Sequence, residues 1–444
     1  MPPKRTAKKA VKKDYGKKEI APITNNRAEV ASFINSLKKQ GIYGNLEKKL
    51  DFISTGSFLI NRAIGDGTHT DAPGGYPKGY ITELFGDESC GKTTLAMHAV
   101  LQVQRNKGTV VYADFEHSLR AQLNYIKNLG VDLNPPGFIY MEPKSFEEGS
   151  HAIGKALITL NPDLIVIDTL TAMLPKANYE ADADLDVQIG KHAKLTSSFL
   201  SWITKYLEQR NCALLLLNQI RSNIKQSQYD TGPTEITSGG KAPRFYSILR
   251  IQLKAGRKEQ IAQVNKVTGV DEKKAINHEI KVSIVKNKLD IPFKSVPIYI
   301  AFGQGIDNIR SIMAAAEARK IIKQSAGWIT WDDPAGRFNI KVQGRPNFKK
   351  YLEEHPDALE ALSEYVIPSV DYSDMKKVKQ ELQSRDFDSL TEDEKETLQK
   401  LESSGIEEME LDDGPGENDD ALADLSKFSE ELHKIGKNPE EPED

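Results

Sequence analysis

The chain has 444 residues, 39% of them hydrophobic and 28% charged, and a formal net charge of −4. This composition fits a soluble globular protein of about two or three structural units that carries some disordered segments. No apolar run approaches the roughly 20 residues of a membrane span. None follows the basic N-terminus as a signal-peptide core, and the two cysteines, Cys90 and Cys212, cannot form a disulfide framework, so a reducing cytoplasmic compartment is expected.

The small net charge hides a strong polarity. Lys4, Arg5, Lys8, Lys9, Lys12, Lys13, Lys17 and Lys18 crowd the first residues, against Asp14 and Glu19. From Glu407 to Asp444 acids dominate. A basic arm with an acidic tail points to nucleic-acid business, or else to two solvated tails that aid solubility. Residues 1–25 read as a disordered basic arm, able to bind DNA phosphates or to serve as a targeting address. Ala28 to Lys39 reads as a short amphipathic helix, with Val30, Phe33, Ile34 and Leu37 on one face.

From Phe52 the pattern becomes α/β. A short helix near Phe58–Ala63 and a Gly/Pro-rich loop from Gly65 to Gly79 lead into the apolar run Tyr80–Phe85. Directly behind it stands Gly86-Asp87-Glu88-Ser89-Cys90-Gly91-Lys92-Thr93, a phosphate loop of the form G-x-x-x-x-G-K-[ST], then Thr94 and a helix. Such a loop turns backbone N–H groups toward phosphate oxygens, Lys92 adds a charge facing the β/γ-phosphates, and the Thr93 hydroxyl is placed to hold Mg²⁺. Further apolar strands follow at Thr109–Ala113, Leu164–Ile167, Ala213–Leu217 and Ser247–Leu253. Helices at Leu119–Leu129, Phe146–Leu160 and Leu185–Gln209 lie between them, so a mostly parallel sheet covered on both faces is expected. Ile280–Val285 alternates polar and apolar, Val296–Phe302 is another strand, and Gly303–Asp307 marks a boundary.

Beyond it a small α+β module is expected: helices at Ile312–Ile322, Asn347–Glu353 and Leu359–Val366, and a short strand at Trp328–Trp331 whose tryptophans read as core in preference to base-stacking platforms. Residues 371–404 read as surface helices, one with a capping box at Thr391 and Glu394, and 405–444 as the acidic tail.

Two strand ends carry candidate acids. Leu164–Ile167 ends in Asp168, which in a phosphate-loop protein orients Mg²⁺. Thr109–Ala113 runs on into Asp114-Phe115-Glu116, and Glu116 is a candidate general base for water. Cys90 is a small residue of the loop or a thiol activated by the helix N-terminus.

Several segments occur together in the order and spacing of bacterial RecA recombinases. They are Ile53–Ser57, Gly86–Thr94, Asp114–His117, Leu174–Ala177, Asn218–Arg221, Gly239–Tyr246 and Val285–Lys288. The chain resembles that family from about Phe52 to Val370. The resemblance implies a RecA-like ATPase core over 52–307, a C-terminal domain over 308–370, and a polymerisation segment over 26–51. It implies ATP and Mg²⁺ as cofactors. Single-stranded and double-stranded DNA and further copies of this chain would be its partners, in a nucleoid-associated helical filament that carries out homologous pairing, strand exchange and DNA repair. Carried over residue by residue, Glu116 is the water-activating base and Asp168 the Mg²⁺-associated acid. Gln219 senses the γ-phosphate, and Lys286 and Lys288 reach the ATP of a neighbouring protomer. The DNA-binding loops fall near Pro175–Gly190 and Arg221–Gly240, bringing in Lys176, Arg221, Lys225, Gly239, Gly240 and Lys241. Departures are the acidic run Glu180, Asp182, Asp184 and Asp186, an insertion at Gly67–Pro73, and a segment after Glu116 that does not show the family's usual Asp and Tyr for adenine. The alternatives are a hexameric or clock-type ATP-driven machine, against which Lys286–Lys288 and the Gln219 loop favour the filament, and a regulatory ATP switch on DNA, against which Glu116 argues.

Overall fold

The computed structural model describes residues 27–40, 49–65, 74–176, 189–222, 235–264, 271–366 and 369–370, with a few single positions between 382 and 398. The basic arm, the Gly67–Pro73 insertion, the acidic run near Asp184, Lys225, the Thr391–Glu394 capping box and the acidic tail lie outside those residues. The chain divides into two units, one up to Lys49 and one from Leu50 onward. The first contains the helix α1 (Arg27–Lys39), with Lys38 and Lys39 in its last turn, where the helix dipole favours cations.

The second unit opens with β1 (Phe52–Ile53), α2 (Phe58–Ile64) and β2 (Tyr76–Pro77), β2 pairing antiparallel with β1. Ser57 starts α2 by accepting a hydrogen bond from Ile60 N–H, as an N-cap does. Then come β3 (Ile81–Gly86), α3 (Lys92–Arg105), β4 (Val110–Asp114), α4 (Leu123–Asn128), β5 (Phe138–Met141), α5 (Phe146–Leu160), β6 (Leu164–Asp168), α6 (Ile189–Arg210), β7 (Ala213–Ser222), β8 (Glu235–Thr237), α7 (Ala242–Tyr246) and β9 (Ser247–Val264). The antiparallel end of the sheet is β10 (Asp271–Asn287), β11 (Lys294–Ala301) and β12 (Gly305–Ile306). The order across the sheet is β12-β11-β10-β9-β3-β7-β6-β4-β5, and its members from β9 to β5 run parallel.

Alternation along the parallel strands explains why both faces are covered. Val110, Tyr112, Leu164, Val166, Leu215 and Leu217 join one core with α2 and α3. Their neighbours Val111, Ala113, Ile165, Ile167, Leu214 and Leu216 join a second core with α5 and α6. Successive residues of a strand point to opposite faces, so continuous Val/Ile/Leu runs are what a sheet buried on both sides requires.

After β12 come α8 (Asn308–Ala318), β13 (Lys323–Ser325), β14 (Trp328–Asp332), β15 (Asn339–Gln343), α9 (Gly344–Glu354), α10 (Pro356–Glu364) and β16 (Ser369–Val370), which pairs with β11. β13, β14 and β15 form a separate antiparallel sheet. Ile312, Trp331, Phe348 and Leu362 of this segment continue the core that holds α3.

Some elements differ from the sequence expectation for physical reasons. The strands expected at Ser247–Leu253 and Ile280–Val285 extend to Val264 and begin at Asp271, forming a long ribbon. Its polar outer half is held by ladder hydrogen bonds, which leave no apolar periodicity to read. The helix expected over Leu119–Leu129 is a 3₁₀ turn, Leu119–Gln122, followed by α4. The Asp114 carboxylate captures the Leu119 and Ser118 N–H groups at its start, at 2.9 and 3.4 Å. α8 begins before Ile312 because Asp307 caps it through Arg310 N–H at 3.0 Å. Of the two tryptophans, Trp331 is buried, whereas Trp328 is 41% exposed beneath the Lys341 ammonium.

Candidate nucleotide site

Gly86 ends β3 between β7 and β9, paired with Gln219 and Leu253. A Cβ at Gly86 would stand 2.2 Å from the Leu253 carbonyl oxygen, so only glycine lets the loop leave the sheet here. Gly91 has φ +90, and a Cβ there would lie 2.5 Å from Ile300 Cδ1. Lys92 opens α3 with its side chain turned into the loop, Nζ donating to the carbonyls of Gly86 (2.9 Å) and Asp87 (2.5 Å). Asp87, Glu88 and Ser89 are exposed on the outside of the turn, and Cys90 is buried beneath it. Burial pushes the Cys90 thiol up in spite of the nearby Lys92 ammonium, so it stays protonated and packs as a small residue.

Asp168 ends β6 one strand beyond β7, in register with Asp114 of β4. Its Oδ2 accepts from Tyr112 OH (2.5 Å) and from Thr93 Oγ1 (3.2 Å). Its Oδ1 is buried with no hydrogen-bond partner among the described residues. Burial pushes the carboxyl up to about 6, the Glu116 and Asp114 carboxylates push the same way, and the Tyr112 and Thr93 hydrogen bonds oppose them. A buried carboxylate oxygen without a donor, beside a threonine hydroxyl, is the donor set a hard divalent cation takes. These residues fit Mg²⁺.

Glu116 projects from the end of β4 and is exposed. Its Oε1 accepts from Thr169 Oγ1 (2.9 Å) and from Gln219 Nε2 (3.0 Å). Lys92, Thr93, Asp168, Glu116 and Gln219 are thus gathered at the C-terminal edge of the parallel strands, where open α/β sheets hold their ligands. His117 is exposed, with φ 55, beside this group.

Beneath Gln219 lies a buried polar network. Asn218 donates to Glu83 Oε1 (2.9 Å) and to the Ser238 carbonyl (3.0 Å), and accepts from Thr171 Oγ1 (3.2 Å). Glu83, in β3, also receives Arg250 Nε of β9 at 2.5 Å, and that guanidinium lies 4.5 Å from the centre of the Phe85 ring. The network joins three strands to the turn that carries Gly239, Gly240 and Lys241. Beyond Gln219, β7 continues to Arg221 and pairs with β8, so that turn leaves from the same edge as the phosphate loop. Lys241 is exposed, and Lys176 is exposed at the last residue described before 189.

Lys286 and Lys288 are not brought to this group. Lys286 pairs with Arg250, the Lys288 N–H reaches the Ile248 carbonyl at 3.1 Å, and Lys286 Nζ donates to the Arg244 carbonyl at 2.8 Å. Ile248 is five residues before Leu253, the partner of Gly86, which at about 3.3 Å per residue is about 17 Å along the sheet.

Three residues here make contacts that the sequence does not show. Thr169 shows no motif of its own, and Asn218, although it opens the Asn218–Arg221 segment, gives no sign of its buried bonds, because the partners of both lie far along the chain. Tyr125 was detectable only as an aromatic five positions before Gly130. Its hydroxyl is 3.0 Å from Thr94 Oγ1, which sets a tyrosine beside the phosphate-loop helix despite the departure noted after Glu116.

The family model described as RecA N-terminal domain matches residues 35–307. Protein RecA of Lactobacillus johnsonii is 34% identical over 322 residues, covering 72% of this chain and 81% of that protein. Protein RecA of Limosilactobacillus reuteri is 36% identical over 321 residues, covering 72% and 80%. Protein RecA of Lactiplantibacillus pentosus is 34% identical over 316 residues, covering 71% and 75%.

Proposed function

The chain belongs to the RecA family of recombination and repair proteins, and from that premise we propose that it is a DNA-dependent ATPase that forms filaments on single-stranded DNA and carries out homologous pairing and strand exchange. The observation that carries this reading is the convergence of Lys92, Thr93, Asp168, Glu116 and Gln219 on one sheet edge, from which the Gly239–Lys241 turn also departs.

The loop from Gly86 to Thr94 binds the ATP phosphates through backbone N–H groups, and Lys92 turns from the Gly86 and Asp87 carbonyls to the β/γ-phosphates. Thr93 and Asp168 hold Mg²⁺, which when bound offsets the negative charge of the phosphates. Glu116 takes the proton of the attacking water. Gln219 lies between that base and the DNA-side turn, so a shift of the turn alters its contact with Glu116.

Lys286 and Lys288 lie near the far end of the sheet from their own phosphate loop, which suits action on a neighbouring copy's ATP, where cations stabilise the transferred phosphoryl group. Lys176, Arg221, Lys225, Gly239, Gly240 and Lys241 contact the DNA backbone, by charge or by main-chain N–H.

Mixing Lys288→Ala protein with Lys92→Ala protein tests the assembly. The first supplies intact phosphate loops and the second intact lysines, so partial recovery of hydrolysis is expected. No recovery at any ratio, with co-assembly confirmed, would contradict action between subunits.

A further inference from the structure

We propose that Thr169 is a positioning residue that orients the base Glu116; the inference rests on the proposed ATPase reading. Thr169 follows Asp168 directly and is 2% exposed, although it carries a hydroxyl. That hydroxyl donates to Glu116 Oε1 at 2.9 Å. The two segments are also joined by their backbones, because the N–H groups of Phe115 and Glu116 both reach the Asp168 carbonyl, at 2.7 and 3.3 Å. The metal-holding acid, the base and the residue that grips the base therefore move as one piece.

Glu116 needs such a grip. It is exposed, and a glutamate side chain in water samples many rotamers. Two donors fix it, and both are on Oε1: Thr169 and, at 3.0 Å, Gln219 Nε2. They leave Oε2 without a hydrogen bond from the described residues, as the atom open to water. The attacking water's proton passes to Oε2 while its oxygen bonds to the γ-phosphorus and the bridging P–O bond breaks, releasing ADP and phosphate.

The two donors differ in kind. Gln219 is long, half-buried and next to the turn that leads to the DNA side. Thr169 is β-branched and therefore stiff at χ1, with its hydroxyl fixed by the buried backbone. Thr169 supplies the fixed reference and Gln219 the adjustable contact.

The test compares wild-type, Thr169→Val and Thr169→Ser proteins for phosphate release with ATP, Mg²⁺ and single-stranded DNA, alongside ATP affinity by direct titration. Valine keeps shape and burial but cannot donate. It is expected to lower kcat by about 10–100-fold, as misplacement of a catalytic group does, with KM and ATP affinity unchanged. Serine restores the donor and is expected to recover most of the rate. A Thr169→Val protein as fast as a hydrolysing wild type would overturn the proposal. So would a loss of ATP affinity in parallel with kcat that serine does not rescue, because that marks a structural role. A wild-type chain that hydrolyses no ATP would instead overturn the reading of the site, and the proposal with it.

Discussion

His98 gives the fold a calculable response to acid. It lies on α3, the helix that begins at Lys92, and its ring packs against Gly56 and Gly305. Nε2 accepts the Ile306 N–H at 3.0 Å, so the neutral ring is the form that fits. Burial, with Arg105 contributing, lowers its pKa to about 4 from the ordinary 6.5. The unfolded chain therefore binds the proton first as pH falls, and stability drops with decreasing pH through that window. At about 1.36 kcal/mol per pKa unit, the loss is about 2 kcal/mol by pH 5 and about 3 kcal/mol by pH 4. His98→Gln keeps an acceptor for Ile306 but does not titrate. Urea unfolding of both proteins from pH 7.5 to pH 4 isolates this contribution, because the other acid-sensitive groups are common to both. The variant should gain on the wild type by that amount as pH falls. A difference that stays constant from pH 7.5 to 4 would refute the reasoning.

Three further outcomes follow from the site and its support. Arg250→Met leaves Glu83 buried without its cation, and should cost about 3–5 kcal/mol in urea unfolding. Gly86→Ala forces a methyl against the Leu253 carbonyl, so ATP binding measured by titration should be lost, with overpacking costing about 1–3 kcal/mol. Glu116→Gln keeps size and hydrogen-bonding ability but cannot take a proton. Phosphate release should fall about 10²–10⁴-fold while filaments on single-stranded DNA still form with ATP and persist longer in electron micrographs.

The parts of this site legible in the sequence are those whose chemistry is local. The phosphate loop and the Leu164–Asp168 strand were readable because spacing and apolar runs are properties of one segment, and both stand in the fold where the pattern puts them. The two-sided core was readable for the same reason, since Val110 to Ala113 and Leu164 to Ile167 are apolar at every position. The outer β9–β10 ribbon was not, because residues such as Lys254, Arg257 and Lys258 are exposed and carry no periodic signal. Nor were the contacts of Thr169 and Asn218 or the Glu83–Arg250 pair, whose partners are 53, 135 and 167 positions away. Trp328 and Trp331 show the limit within one short strand: alternation puts residues an odd number of positions apart on opposite faces, and these two are three apart. What sets them on opposite faces is that three-residue offset, which the reading of both as core overlooked.

The central claim is that this sheet edge hydrolyses ATP in response to DNA, and phosphate release by the purified full chain measures it most directly. With ATP and Mg²⁺, the account predicts slow release that single-stranded DNA accelerates strongly, and none above background for Lys92→Ala under either condition. Equal rates with and without DNA, or a Lys92→Ala protein as active as the wild type, would contradict it.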